Sequence, residues 1–102
     1  MKIRDCFDRD VRLTDERMSH ILDRPEMPSM REEIIGTLRS PAEVRISRSD
    51  ADVRLFYDFH SRTLAGDKWL CVVVKYSRND AFVITAYLTD KPKAGEILWP
   101  IK

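Results

Sequence analysis

The chain has 102 residues, enough for one domain with a core of its own and too few for two. Hydrophobic residues make up 43% of it, and no apolar run approaches membrane-spanning length, so no membrane span is expected. Eighteen Lys and Arg against 17 Asp and Glu leave a net charge of +1. A globally basic nucleic-acid binder is therefore excluded, and attraction to a phosphate polymer would have to come from a local patch.

The opening MKIRDCFDRD is charged from its second residue, and no apolar signal core follows it. No export signal is read, and a cytoplasmic location is expected. Cys6 and Cys71 are then expected to be reduced thiols, Cys71 acting as a small hydrophobe in a strand. His20 and His60 are far apart, and no Cys or His pair has zinc spacing, so neither metal nor other cofactor is expected.

Residues 1–13 are mixed in charge, with Ile3, Cys6 and Phe7 either forming a short strand or covering the core. Thr14 is a good N-cap, and Asp15 and Glu16 place negative charge on a first helical turn. Leu13 and Met18 are spaced as a hydrophobic staple, and Met18, Ile21 and Leu22 recur on one helix face. Pro25 stops this helix near Asp23 and Arg24. Arg17, His20 and Arg24 share its other side.

Ser29 and Glu32 have capping-box spacing and predict a second helix with a stripe of Met30, Ile34, Ile35 and Leu38. Gly36 in that helix suggests close approach to a neighbour, and Ser40-Pro41 ends it. Residues 43–49 and 52–60 alternate as strands about a turn at Ser49-Asp50-Ala51. In the second of them Val53, Leu55, Tyr57 and Phe59 point to the core. Residues 61–67 read as a loop, and 89–95 as a basic loop. Trp99 docks the tail, with a short edge strand possible before Pro100.

Between these loops lies a hairpin, from Trp69 to Tyr76 and from Ala81 to Leu88. Pairing Ser77 with Asp80 would put Lys75 on one face with Phe82, Ile84 and Leu88, a costly burial of charge. Pairing Tyr76 with Asp80 separates the faces. Leu70, Val72, Val74, Tyr76, Phe82, Ile84, Ala86 and Leu88 then form an apolar face. Trp69, Cys71, Val73, Lys75, Val83, Thr85 and Tyr87 form the other. The second register is the one expected. The fold expected is α+β, two N-terminal helices packed on a four-stranded antiparallel sheet.

Three stretches carry a resemblance. They are Arg12-Leu-Thr14-x-x-Arg17-x-x-His20-Ile-x-x-Arg24-Pro-Glu26, Arg48-Ser-Asp-x-Asp-Val-Arg-Leu-Phe-Tyr57, and Lys68-Trp-Leu-Cys-Val-Val-Val-Lys75 with Phe-Val-Ile-Thr85-Ala-Tyr87. Over roughly residues 12–99 the chain resembles a phage-associated nuclease family of the barnase–EndoU–colicin–RelE-like group. The resemblance implies the same two-layer fold and a metal-independent, toxin-like endoribonuclease that needs no cofactor. It also implies RNA as a partner and an antitoxin protein as a second.

Such cleavage needs a base for the 2′-hydroxyl, an acid for the leaving oxygen and cations on the phosphoryl oxygens. By resemblance His20 is the base or acid, Lys75 stabilises the phosphorane, and Thr85 and Tyr87 position phosphate or donate a proton. Arg24 and Arg48 clamp neighbouring phosphates. Tyr57 is assigned to RNA binding, against the alternation that turns it inward. With the helices on the opposite sheet face, His20 must reach round an edge to meet Lys75. Two other readings use the same residues: a nucleic-acid- or protein-binding module without chemistry, and a homodimer joined through Trp69, Val73, Val83 and Tyr87.

Overall fold

The computed structural model describes residues 1–101. The chain forms β1 (Lys2–Arg4), β2 (Asp10–Arg12), α1 (Asp15–Leu22), α2 (Arg31–Arg39), β3 (Glu43–Ile46), β4 (Val53–Thr63), β5 (Gly66–Tyr76), β6 (Ala81–Thr89) and β7 (Ile97–Trp99). All seven strands join one sheet in the order β1-β2-β6-β5-β4-β3-β7. The pairing is antiparallel except between β2 and β6, which run parallel through Arg12 and Phe82.

This overturns the expectation of a four-stranded antiparallel sheet with two helices at the front. The sheet is mixed and curled, and two strands precede the helices. β1 and β2 are only three residues each, too short for alternation to register. A side-chain device makes them. Asp5 Oδ1 accepts from the backbone N–H of Phe7 and of Arg9, both at 2.9 Å, and Asp8 takes the left-handed conformation at φ 66°. The polar run between the two strands is thus a closed turn. Arg12 then fixes β2 to the end of β6, with its guanidinium 2.8 Å from Asp80 and over the Phe82 ring.

α1 begins as its sequence predicts, Thr14 Oγ1 accepting from Arg17 N–H at 3.1 Å, with Leu13, Met18 and Ile21 buried. α2 does not. Its N-cap is Met30, without a side-chain cap, so the Ser29–Glu32 box is not formed. Its stripe is as expected, with Met30, Ile34, Ile35 and Leu38 buried. Gly36 faces open space, and no neighbour lies within 4 Å of where a Cβ would be.

Both helices contribute to one large core with Phe56, Leu70, Val72, Val74 and Ala86 on the helix-covered sheet face. β4 is phased opposite to expectation. Phe56 enters that core, while Val53, Leu55 and Tyr57 join Cys71 in a smaller cluster on the outer face. Alternation alone misleads here, because the face that enters the core carries Arg54, Asp58 and His60 beside Phe56. The expected loop at 61–67 is instead hairpin. β4 and β5 run on to Thr63 and from Gly66, with Arg62 (φ 58°) and Gly66 (φ 93°) supplying the left-handed residues of a tight turn.

The connection from β6 to β7, residues 90–96, crosses the outer face. Lys93 N–H donates to Tyr57 Oη at 3.0 Å, Arg45 Nη1 donates to Lys93 carbonyl at 2.9 Å, and Ile46 N–H donates to Glu96 carbonyl. Gly95 allows this crossing, since a Cβ there would lie 2.3 Å from Ile46 carbonyl oxygen. β7 then pairs with β3, and Trp99 meets Phe7 edge to face at 5.9 Å. Among the described residues, no helix is long and apolar enough to cross a membrane.

Candidate functional site

The outer face of the β5–β6 hairpin positions the candidate groups; its register is the Ser77–Asp80 one at the turn and, beyond a bulge, neither of the two considered. At the turn Tyr76 pairs with Ala81, Lys75 with Phe82 and Val74 with Val83. The ladder then shifts between Val73 and Val74, so that Val73 opposes Thr85 and Cys71 opposes Tyr87. Ile84 is the additional residue of this bulge. The expected Tyr76–Asp80 pairing is therefore wrong, as is the placement of Phe82 and Ile84 in the core and of Val83 outside. Val83 is 3% exposed within the helix-side core, while Ile84 packs against the outer cluster. A homodimer surface that includes Val83 is excluded by that burial.

The bulge restores the expected phase for the rest of the hairpin. Trp69, Val73 and Tyr87 pack against Cys71 on the outer face, with Thr85 opposite Val73. The charge penalty that argued against the turn register is removed by a partner. Lys75 Nζ lies 2.6 Å from Asp50 Oδ2, each side chain about a third exposed (34% and 40%). The hydrogen bond from Lys75 holds the Asp50 carboxyl below the usual carboxylate range, and the same bond raises Lys75.

Asp50 belongs to a cavity of about 470 Å³. Its floor is Val53, Leu55 and Val73, and Tyr87 stands beside them. Arg48 enters from the β3–β4 loop and Lys93 from the crossing connection, its ammonium 5.7 Å from the Tyr87 ring centroid. Beneath this connection the phenols of Tyr57 and Tyr87 bear on the Cys71 thiol. Burial pushes Tyr57 up to about 12 and Cys71 up to about 11, and it raises Tyr87 further still. Both phenols therefore keep their protons at neutral pH, as hydrogen-bond donors or acids and not as bases.

Arg24, just past α1, donates to Thr85 Oγ1 and to Ala86 carbonyl, both at 3.2 Å. It ties the helix to β6 beyond the short stretch that β2 covers. The structure thus gathers Arg48 and Tyr87 about one cavity, with Lys75 bound to its Asp50 without lining it, Tyr57 bonded to the connection at Lys93, and Arg24 joined to Thr85. Tyr57 points away from the main core, contrary to its expected phase. His20 is not brought to this group. It lines another cavity, of about 720 Å³, with Thr14, Glu16, Arg17, Ser19 and Asp23, none of which lines the first.

Two residues of this cavity, Asp50 and Lys93, were not singled out by sequence reasoning. Asp50 had a signal: an unpaired ammonium on a half-apolar face requires a carboxylate, and the β3–β4 turn offers one. Lys93 had none, because its position depends on where the 90–96 connection crosses. Compared with known proteins, the chain matches no family model, no curated protein and no solved structure.

Proposed function

We propose that the outer-face cavity takes single-stranded RNA and cleaves it without a metal ion. The observation that carries this reading is the convergence of Arg48, Lys93, Tyr87 and Asp50, the last holding Lys75, on one apolar-floored cavity. Cations on a rim hold phosphate, and an apolar floor with an aromatic wall suits a base.

In this reading the incoming phosphate draws Lys75 from Asp50, and the freed carboxylate accepts the 2′-hydroxyl proton. The 2′-oxygen attacks phosphorus as the bond to the 5′-oxygen breaks, and Tyr87 gives that oxygen its proton. The products are a 2′,3′-cyclic phosphate and a free 5′-hydroxyl; solvent takes the proton from Asp50 and reprotonates Tyr87. Arg48, Lys93 and Lys75 carry the charge that builds on the phosphoryl oxygens. A carboxylate is a weak base even with Lys75 withdrawn, so the rate rests mainly on electrostatic stabilisation.

The test is incubation of purified protein with RNA in excess chelator, with analysis of the ends formed. Cyclic phosphate ends from wild type, and at least about a hundredfold less from Lys75→Ala, are expected. Equal cleavage by both proteins would overturn the assignment. Growth arrest on induced expression, relieved by Lys75→Ala, would extend the reading to a toxin.

A second reading, RNA binding without cleavage on the same face, is favoured by one observation. His20, the residue best suited to move protons near neutral pH, lines a separate cavity. Salt-sensitive binding with no new ends would select it.

A further inference from the structure

The outer face carries a second aromatic feature on the far side of the crossing connection. Phe59 on β4 stands opposite Trp69 on β5, the rings 5.5 Å apart and inclined at 70°. Trp69 packs against the outer cluster, but Phe59 is 51% exposed, two residues beyond the wholly buried Tyr57. Such exposure forgoes much of what burying a phenyl ring would gain. The ring is nevertheless held firmly, because β4 pairs with β5 on both sides of it and Trp69 is paired in turn with Thr89.

We propose that Phe59 and Trp69 form a stacking platform for a nucleobase of the strand whose phosphate lies in the cavity, an inference that rests on the RNA reading above. Phe59 is four residues along β4 from Leu55 on the cavity floor, about 13 Å at the usual rise of a strand. Between them the 90–96 connection forms a crest that carries Lys91 and Lys93, both exposed. A strand leaving the cavity therefore crosses two cations before it meets the rings. That order of phosphate grip, cationic crest and aromatic surface complements a polyanion bearing flat apolar groups. Stacking on the rings engages the π-face that every base has, so the platform takes any base.

The experiment uses two 2′-O-methyl oligoribonucleotides, which lack the attacking hydroxyl: a dinucleotide and a hexanucleotide. Binding to wild type, Phe59→Ala, Phe59→Tyr and Arg48→Ala is read by fluorescence anisotropy. Phe59→Ala should weaken the hexanucleotide by about five- to a hundredfold. It should leave the dinucleotide unchanged, and Phe59→Tyr should retain wild-type affinity. Arg48→Ala should weaken both probes. Hexanucleotide affinity that is lost in Arg48→Ala but intact in Phe59→Ala overturns the platform and keeps the cavity reading. If wild type binds neither probe, the cavity reading falls and takes the platform with it. A Phe59-dependent dimer, seen by sedimentation with no effect on RNA affinity, would also overturn it by assigning the rings to a second copy.

Discussion

Lys75 and Asp50 meet at 2.6 Å across 25 positions of chain, joining the middle of the sheet to the β3–β4 loop. The Lys75 value is raised and the Asp50 value lowered, chiefly by their mutual hydrogen bond. The carboxylate's contribution to stability is full above its unfolded value of about 4, and is lost as pH falls through the lowered folded value. The ammonium's is full below its unfolded value of about 10.4, and is lost as pH rises through the raised one. The difference in melting temperature between wild type and Lys75→Ala should therefore be small and flat from about pH 5 to 9. It should vanish in acid. Thermal melts across pH read this directly.

His20→Ala separates the two cavities. Because His20 lines the α1 cavity and not the one holding Arg48 and Tyr87, its loss should leave RNA affinity and end formation within about twofold of wild type. Tyr87→Phe should keep binding while reducing cleavage by about ten- to a hundredfold, since it removes the proton donor alone. Single-turnover rates beside anisotropy measure both.

The two best-placed glycines should respond in opposite directions. Gly95→Ala forces a Cβ to within 2.3 Å of Ile46 carbonyl oxygen and should destabilise the fold by about 1–3 kcal/mol. Gly36→Ala meets open space inside a helix and should stabilise it by up to about 1 kcal/mol. Urea denaturation of the two variants gives both signs. Gly95→Ala should also loosen the connection that carries Lys93, and so weaken RNA binding.

Tyr76 donates from its hydroxyl to Asp5 Oδ2 at 2.5 Å, and Asp5 is only 5% exposed. Tyr76→Phe leaves that oxygen without its donor and should cost about 1–3 kcal/mol in chemical denaturation. Asp5→Ala should cost more, because the turn between β1 and β2 also loses the acceptor for Phe7 and Arg9.

Neither cysteine should react readily in the native protein. Burial pushes Cys6 up to about 12 and Cys71 up to about 11, so at pH 8 only about one thiol in a thousand or fewer is ionised. A thiol-disulfide colorimetric assay should be slow in native buffer and prompt in denaturant.

What could be read in the chain divides by the range of the interaction. Thr14, Met18 and Ile21 declare α1 through spacing over a few residues, and the structure places them accordingly. The capping box at Ser29 had the same kind of support and failed, because Met27 and Met30 are buried and place the helix start by packing instead. The hairpin phase depended on a bulge at Ile84 that no alternation count reveals. The charge argument against its turn register assumed that Lys75 had no partner. β2 and β7 were hard to place because each has three residues and pairs with a strand distant in sequence, β6 and β3. At the candidate site, Lys75, Thr85 and Tyr87 were grouped correctly on one face. Lys93 was invisible because the path of a connection is a property of the whole sheet.

The parallel pairing of β2 with β6 has a consequence for synthesis. Arg12 emerges from the ribosome about seventy residues before its ladder partner Phe82. Until then the strand lacks its neighbour, and the turn braced by Asp5 must keep it from pairing elsewhere. Closure of this sheet is accordingly a late, long-range event in the life of each new chain, and ribosome-stalled intermediates ending before Ala81 should remain protease-sensitive from the first residue onward.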